Sequence, residues 1–422
     1  MSNFDFVPGL RPQSAPSVHG KELWDTSTGS EAAYKPESSH NRQKPMSSNF
    51  EFFQSLLSKA DIQLNGERPW DIQIKDEAVF DRVLADGSLG FGESYMDGLW
   101  ECQQMDELFN RILRAKIDQQ ITLKDKLKLG AKKLGSFLNP QSLVRVKKDV
   151  PFHYDLGNDL FFAMLDKRMT YTCAYWEDAN TLDEAQEAKL DLVCRKLDLK
   201  PGMRILDIGC GWGSFMKFAA EKYGVICDGL TLSKEQTALG REMVEDLPVQ
   251  FILQDYREFT PEQPYDRIVS IGMFEHVGPS NYDDFFACAK RAMKQDGIFL
   301  LHTIGGEESH PDDGGDPWIH KYIFPNGVIP SLPQITTAMM GDFVLEDLQN
   351  IGPNYDTTLM AWHQNFEKHW DELSEKYGEK FYRMWRYYLL SCAGGFRSRD
   401  LNVWQLSLTM PNGIQPAGRR AA

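Results

Sequence analysis

The sequence predicts an α/β protein, a mainly parallel, seven-stranded sheet flanked by helices, with a smaller N-terminal α+β domain in front of it. Three observations predict it. From about residue 150 onward, short apolar runs alternate with helical segments, as in strands joined by right-handed crossovers. Residues 203–214, MRILDIGCGWGS, run a buried strand straight into a glycine turn and a helix start. A chain of 422 residues also exceeds a comfortable single core.

Taken in order, residues 1–48 are rich in Ser, Pro, His and Asn and read as a disordered tail. Residues 49–118 form the N-terminal domain, where Phe53, Leu56, Leu57 and Ala60 make a helical stripe and Gly87, Gly90 and Gly92 mark turns. Residues 119–149 carry Leu123, Leu127, Leu134 and Leu138 among many lysines. That segment is either a charged linker helix or an amphipathic element meeting an anionic membrane. Residues 150–411 are the catalytic domain and 412–422 a flexible tail. Strands are expected at 204–208, 225–230, 249–254, 266–272, 297–303, 342–348 and 403–410. Helices are expected at 183–197, 214–222, 233–245, 281–294 and 367–392.

Composition narrows the function. Hydrophobic content of 42% fits a globular protein, and no window offers the ~20 uninterrupted apolar residues that span a bilayer. The start, Met-Ser-Asn-Phe, is no signal peptide, and seven scattered cysteines without a C-x-x-C pair read as reduced thiols in a cytosolic protein, not as a zinc site. A net charge of −15 weighs against general nucleic-acid binding. The stretch from Arg111 to Lys148 is the exception, with eleven Lys or Arg against Asp118 and Asp125.

In sheets of this kind ligands sit beyond the C-terminal strand ends. The first strand ends in Asp207 and the turn Gly209-x-Gly211-x-Gly213, not in the G-x-G-x-x-G of dinucleotide binders. This spacing resembles the S-adenosylmethionine (SAM) turn of class I methyltransferases, a Rossmann-like fold, with Gly209 and Gly211 beside the methionine moiety and Asp207 near its amino group. After the second strand, where a ribose-binding acid is expected, Asp228 lies early, and Thr231, Ser233 and Gln236 stand at the strand end instead. Ser233 and Gln236 also read as a helix capping box. After the third strand, Gln254, Asp255 and Tyr256 face the expected adenine position.

The fourth strand ends in Glu275 and the fifth in His302, followed by Ile304. The Asn/Asp-Pro-Pro-Tyr/Phe motif of base-amine methylation is missing at the fourth. A Glu and a His at adjacent tips either anchor an anion and relay a proton or form a structural hydrogen bond. Upstream, Cys173 sits among Tyr171, Tyr175 and Trp176, which either line an acyl slot and shelter a cation or simply pack a core.

Taken together, YDLGND (154–159), YTCAYW (171–176), LDIGCGWG (206–213), GMFEHVG (272–278), LHTIG (301–305) and YDTTL (355–359) resemble the cyclopropane-fatty-acyl-phospholipid synthases, a match covering about residues 50–410. The resemblance implies transfer of a one-carbon unit from SAM to the cis double bond of an acyl chain in a membrane phospholipid. A carbocation forms, loses a proton from the new methyl group and closes to a cyclopropane. It also implies a bound bicarbonate as general base, held by Cys173, Glu275, His302, the Ile304 backbone and Tyr355. For SAM it points to Tyr171, Thr172, Gly209, Gly211, Thr231, Gln236 and Asp255. A homodimer, and an N-terminal domain that engages the inner face of the cell membrane, enter by resemblance as well. The 306–316 loop is longer or more acidic than the family pattern, which bears on membrane approach. Competing readings are methyl or methylene branching of acyl chains without ring closure, a small-molecule or RNA methyltransferase, and a non-catalytic membrane-associated SAM-binding module.

Overall fold

The computed structural model describes residues 47–117, 156–311, 315–413 and 415–416. The expected linker at 119–149 lies outside them, as do the expected tails except for 47–48, 412–413 and 415–416.

The N-terminal part comprises α1 (Ser48–Leu57), β1 (Gln73–Ile74), α2 (Ala78–Asp86), α3 (Ser88–Met96), β2 (Trp100–Glu101) and α4 (Met105–Arg114), with β1 and β2 antiparallel. Next come α5 (Asn158–Met164), α6 (Leu182–Lys196), β3 (Arg204–Ile208), α7 (Ser214–Tyr223), β4 (Ile226–Thr231), α8 (Lys234–Met243), β5 (Val249–Leu253) and β6 (Tyr265–Ile271). The chain continues through α9 (Tyr282–Ala292), β7 (Met293–Gly306), α10 (Pro317–Tyr322), α11 (Leu332–Ala338), β8 (Val344–Asn350), α12 (Pro353–Lys368), α13 (Trp370–Ser398) and β9 (Leu401–Thr409).

The seven large strands lie in the order β5-β4-β3-β6-β7-β9-β8. The first five are mutually parallel, and β9 runs antiparallel to both β7 and β8. This is the mixed sheet of a class I methyltransferase, as the sequence predicts. Chain order reverses direction at β3, so the crevice at its C-terminal end is the natural ligand site. The strand is apolar and buried at Ile205, Leu206 and Ile208 because helices cover both faces. Local chemistry sets the helix ends. Thr181 and Glu184 form a capping box on α6, and Gly224 closes α7 in the left-handed conformation.

Two expectations need correcting. β7 runs past 297–303 at both ends, since Gly305 and Gly306 keep pairing with β9. The helix expected at 367–392 is two helices meeting at His369, and α13 is itself interrupted at Gly378 (φ +74°). Most of α12, residues 353–366, has no counterpart among the expected helices; it begins with Pro353 in its first turn, where the missing N–H costs nothing.

The N-terminal helices share one hydrophobic core with α12 and α13. α4 crosses α13 at Gly394, where a Cβ would stand 2.6 Å from both the Asp106 carbonyl oxygen and the Phe109 Cβ. Arg397 fastens the same crossing, 2.6 Å from Asp106 and with two 2.9 Å bonds to Asp356 on α12.

Candidate active site

Three cavities open around the C-terminal strand ends, and Gly272, immediately after β6, lines all of them. Gly272 has φ +69°, and a Cβ there would stand 2.7 Å from Thr172 Cγ2, so the residue gains both freedom and clearance from having no side chain.

The smallest cavity, about 120 Å³, lies under the glycine turn and is lined by Tyr171, Thr172, Lys189, Asp207 and Gly209 among others. Gly209 takes φ +88°, and a Cβ there would sit 2.4 Å from Met273 Cγ. Gly211 is also left-handed (φ +53°) but lines none of the three cavities. Burial pushes the Asp207 carboxyl up to about 7, with Lys189 opposing.

A second cavity, about 560 Å³, continues from Gly209 along Thr231, Ser233, Gln236, Asp255 and Tyr256. Ser233 Oγ accepts the Gln236 N–H at 3.2 Å and so caps α8, while both residues also border the cavity. Asp255 is held below the usual carboxylate range by its hydrogen bonds to the Arg257 guanidinium, at 2.6 and 3.0 Å. Asp228 stays out of this cavity and bonds Arg204 and Tyr265 instead.

The third cavity, about 230 Å³, is mostly apolar, and Cys173, Glu275, His302, Ile304 and Tyr355 all line it. Ile271 pairs with His302 across β6 and β7, so the two strand tips stand side by side. Glu275 sits on a short 3-10 turn, and its Oε1 accepts the Ile304 N–H at 2.6 Å. Its Oε2 is buried with no partner among the described residues. Burial, partly offset by the Ile304 N–H, pushes this carboxyl up to about 7. His302 Nδ1 faces Gln405 Nε2 at 3.2 Å, not Glu275. Burial, followed by the charges of Lys189 and Lys196, holds the imidazole well below its ordinary value. Burial likewise pushes the Cys173 thiol and the Tyr355 phenol upward. At neutral pH the ring of groups is therefore a thiol, a phenol, a neutral imidazole and a carboxyl poised between its two forms.

Tyr171 and Thr172 line both the small cavity and the apolar one, so this strap joins the two. It is pinned from both sides. Gln186 Nε2 donates to the Thr170 and Thr172 carbonyls at 3.2 and 2.8 Å, and Lys189 Nζ donates to Thr172 Oγ1 at 2.7 Å. From α12, Thr358 Oγ1 accepts the Ala174 N–H at 3.1 Å and the Trp176 indole N–H at 3.0 Å. Tyr175 and Trp176 line none of the three cavities; Tyr171, Phe324, Tyr355 and Tyr388 are among the rings that line the apolar one.

Lys189 is the residue that sequence reasoning missed. It is fully buried, and burial lowers its ammonium to about 8 despite Asp166, Cys173 and Asp207 nearby. In the sequence it looks like any helix-surface lysine; the only signal is its i+3 spacing from Gln186, which puts the two on one face.

Comparison with known proteins shows what the chain is similar to. Residues 141–406 match the mycolic acid cyclopropane synthetase family. The chain is 50% identical over 366 residues to the cyclopropane-fatty-acyl-phospholipid synthase of Escherichia coli (strain K12), covering 86% of this chain and 94% of that protein. It is 40% identical over 278 residues to cyclopropane mycolic acid synthase 1 of Mycobacterium tuberculosis (strain ATCC 25618 / H37Rv), covering 61% of this chain and 96% of the other. Among solved structures, the mycolic acid cyclopropane synthase CmaA1 complexed with SAH and CTAB superposes with a TM-score of 0.56 at 38% identity, covering 61% of this chain and 95% of that one.

Proposed function

The chain belongs to the mycolic acid cyclopropane synthetase family and is a SAM-dependent enzyme that forms cyclopropanes, and from that premise we propose that its acceptor is a cis-unsaturated acyl chain of a membrane phospholipid. The observation that carries this reading is the meeting of the cavities at Gly272. A sulfonium seated along the glycine turn would face an apolar slot, where an alkene can be held against it.

SAM fits the two cavities that share Gly209. Asp207 stands by for the ammonium of its methionine end, Tyr171 and Thr172 form the wall towards the acceptor, and Thr231, Gln236 and Asp255 face the nucleoside. Gly211 contributes its left-handed turn.

The double bond gives its π pair to the SAM methyl carbon as the carbon–sulfur bond breaks, leaving a carbocation at the other alkene carbon. One proton then leaves the new methyl group, and its C–H pair closes the ring. The rings of Tyr171 and Tyr355 line the cavity where positive charge would develop.

A base must take that proton, and the polar groups of the slot fit a small anion better than they fit a base of their own. Cys173 and Tyr355 hold their protons, Glu275 has a buried oxygen with no partner among the described residues, and His302 is neutral. Cys173, Tyr355 and the neutral imidazole can donate to an anion, and Glu275 can do so in its protonated form. The Ile304 N–H is committed to Glu275 and its carbonyl accepts the Thr303 hydroxyl at 2.9 Å, so the backbone there could serve only as a further acceptor, for the O–H of a bicarbonate. Bicarbonate bound there would supply the base.

Membrane contact is assigned to the basic segment 119–149, with a homodimer working at the inner face of the cell membrane; the residues concerned lie outside those described. Among the described residues no helix is long and apolar enough to cross a membrane. Neutralising Lys126, Lys128, Lys132 and Lys133 is expected to weaken binding to anionic vesicles, most of all at low salt.

The function is tested with purified protein, SAM and vesicles of dioleoyl phospholipid, with the acyl chains analysed by mass spectrometry. The expected product carries one extra carbon, forms slowly in carbon-dioxide-stripped buffer and recovers with added bicarbonate. Turnover independent of bicarbonate would remove the anion, and SAM consumption without a lipid product would remove the phospholipid.

A further inference from the structure

We propose that α3 and α4 of the N-terminal part build the far wall of the acyl cavity, and that Phe91, Phe109 and Leu113 set how much chain fits on the methyl side of the double bond. The inference rests on the acyl reading above and adds a determinant of which unsaturated chain is accepted.

The cavity that holds Glu275 and Cys173 is also lined by these three side chains. All three are buried. They precede residue 141, where the family match begins, so this wall is made by chain outside the matched region.

The wall is stiff. Phe91 stacks on Trp100 at 4.2 Å, and the Trp100 indole N–H donates to the Phe91 carbonyl at 3.0 Å. Phe109 meets Tyr387, another cavity residue, edge to face at 5.4 Å. The close crossing at Gly394 brings α4 near enough for Phe109 and, one turn later, Leu113 to reach the cavity, and Arg397 clamps that crossing to α12. A rigid apolar end-wall discriminates by length, because a chain that is too long must bend or withdraw its double bond from the reacting groups, and one that is too short leaves a void.

The test uses full-length enzyme and mixed vesicles carrying palmitoleoyl and oleoyl phospholipids in equal amounts. These chains share the distance from carboxyl to double bond and differ only on the methyl side. Phe109→Ala, which deepens the slot, should raise the ratio of oleoyl to palmitoleoyl cyclopropane by about tenfold, and Leu113→Trp should lower it by a similar factor. If either variant fails to fold by circular dichroism, Phe109→Leu and Leu113→Phe are the milder pair and should shift the ratio in the same directions, by less. Ratios unchanged from wild type in folded, active variants overturn the proposal. So do ratios that follow the carboxyl-side length in a second lipid pair matched at the methyl side. Absence of cyclopropane from either lipid with the wild-type enzyme would instead overturn the acyl reading on which this wall depends.

Discussion

Glu275→Gln separates what this carboxyl does for the reaction from what it costs the fold. Its folded pKa is about 7, against 4.5 for the ordinary side chain, because burial disfavours the carboxylate. Above pH 4.5 the unfolded chain gives up this proton while the folded protein keeps it, so the unfolded state binds fewer protons and stability falls as pH rises. The loss levels off above pH 7, and a shift of this size corresponds to about 3 kcal/mol. Glutamine cannot ionise. Its amide oxygen keeps the Ile304 N–H, and its NH₂ takes the place of the O–H of the protonated carboxyl. In bicarbonate-free buffer the variant should therefore be more stable than wild type by about 2 kcal/mol at pH 6 and about 3 kcal/mol at pH 8. Urea unfolding followed by circular dichroism reads the difference. Cyclopropane formation should fall by about a hundredfold while SAM affinity, measured by calorimetry, stays within about twofold. A variant less stable than wild type at pH 8, or SAM affinity falling in step with turnover, would refute the reasoning.

Two further perturbations address the supports of the site. Lys189→Met takes the donor from Thr172 and the counter-charge from Asp207, so SAM affinity should fall about tenfold. Affinity for 5′-methylthioadenosine, which lacks the amino-acid end, should hardly change; equal losses for both ligands would make Lys189 a purely structural residue. Arg397→Met strands Asp106 and Asp356, the neighbour of Tyr355, and should cost about 2 kcal/mol of stability. A cost below about 0.5 kcal/mol would show that the clamp is solvent-screened and adds little.

Much of this was legible in the sequence because the sheet is doubly covered. Buried parallel strands read as apolar runs, and the glycine turn after β3 announces a ligand crevice. Cys173, Glu275, His302, Ile304 and Tyr355 come from four separate regions of the chain yet line one cavity, and the resemblance named them. What stayed hidden depends on tertiary contact. α12 opens with proline and carries its buried Tyr355, Thr358, Leu359 and Trp362 among polar residues, which hides its helical period. Lys189 resembles a surface lysine until the strap 170–173 covers it. Phe91, Phe109 and Leu113 look like ordinary core positions of α3 and α4 until Gly394 draws α4 onto α13. Gly211 departs the other way, marking the turn without bordering any of the three cavities described.

The measurement closest to the central claim uses SAM with a fully deuterated methyl group and vesicles of monounsaturated phospholipid, followed by mass spectrometry of the acyl chains. Ring closure removes one hydrogen from the transferred methyl, so the account predicts a chain one carbon longer that keeps two of the three deuteriums. A product that keeps all three would be a methyl branch, which would contradict both the ring and the base held beside Glu275.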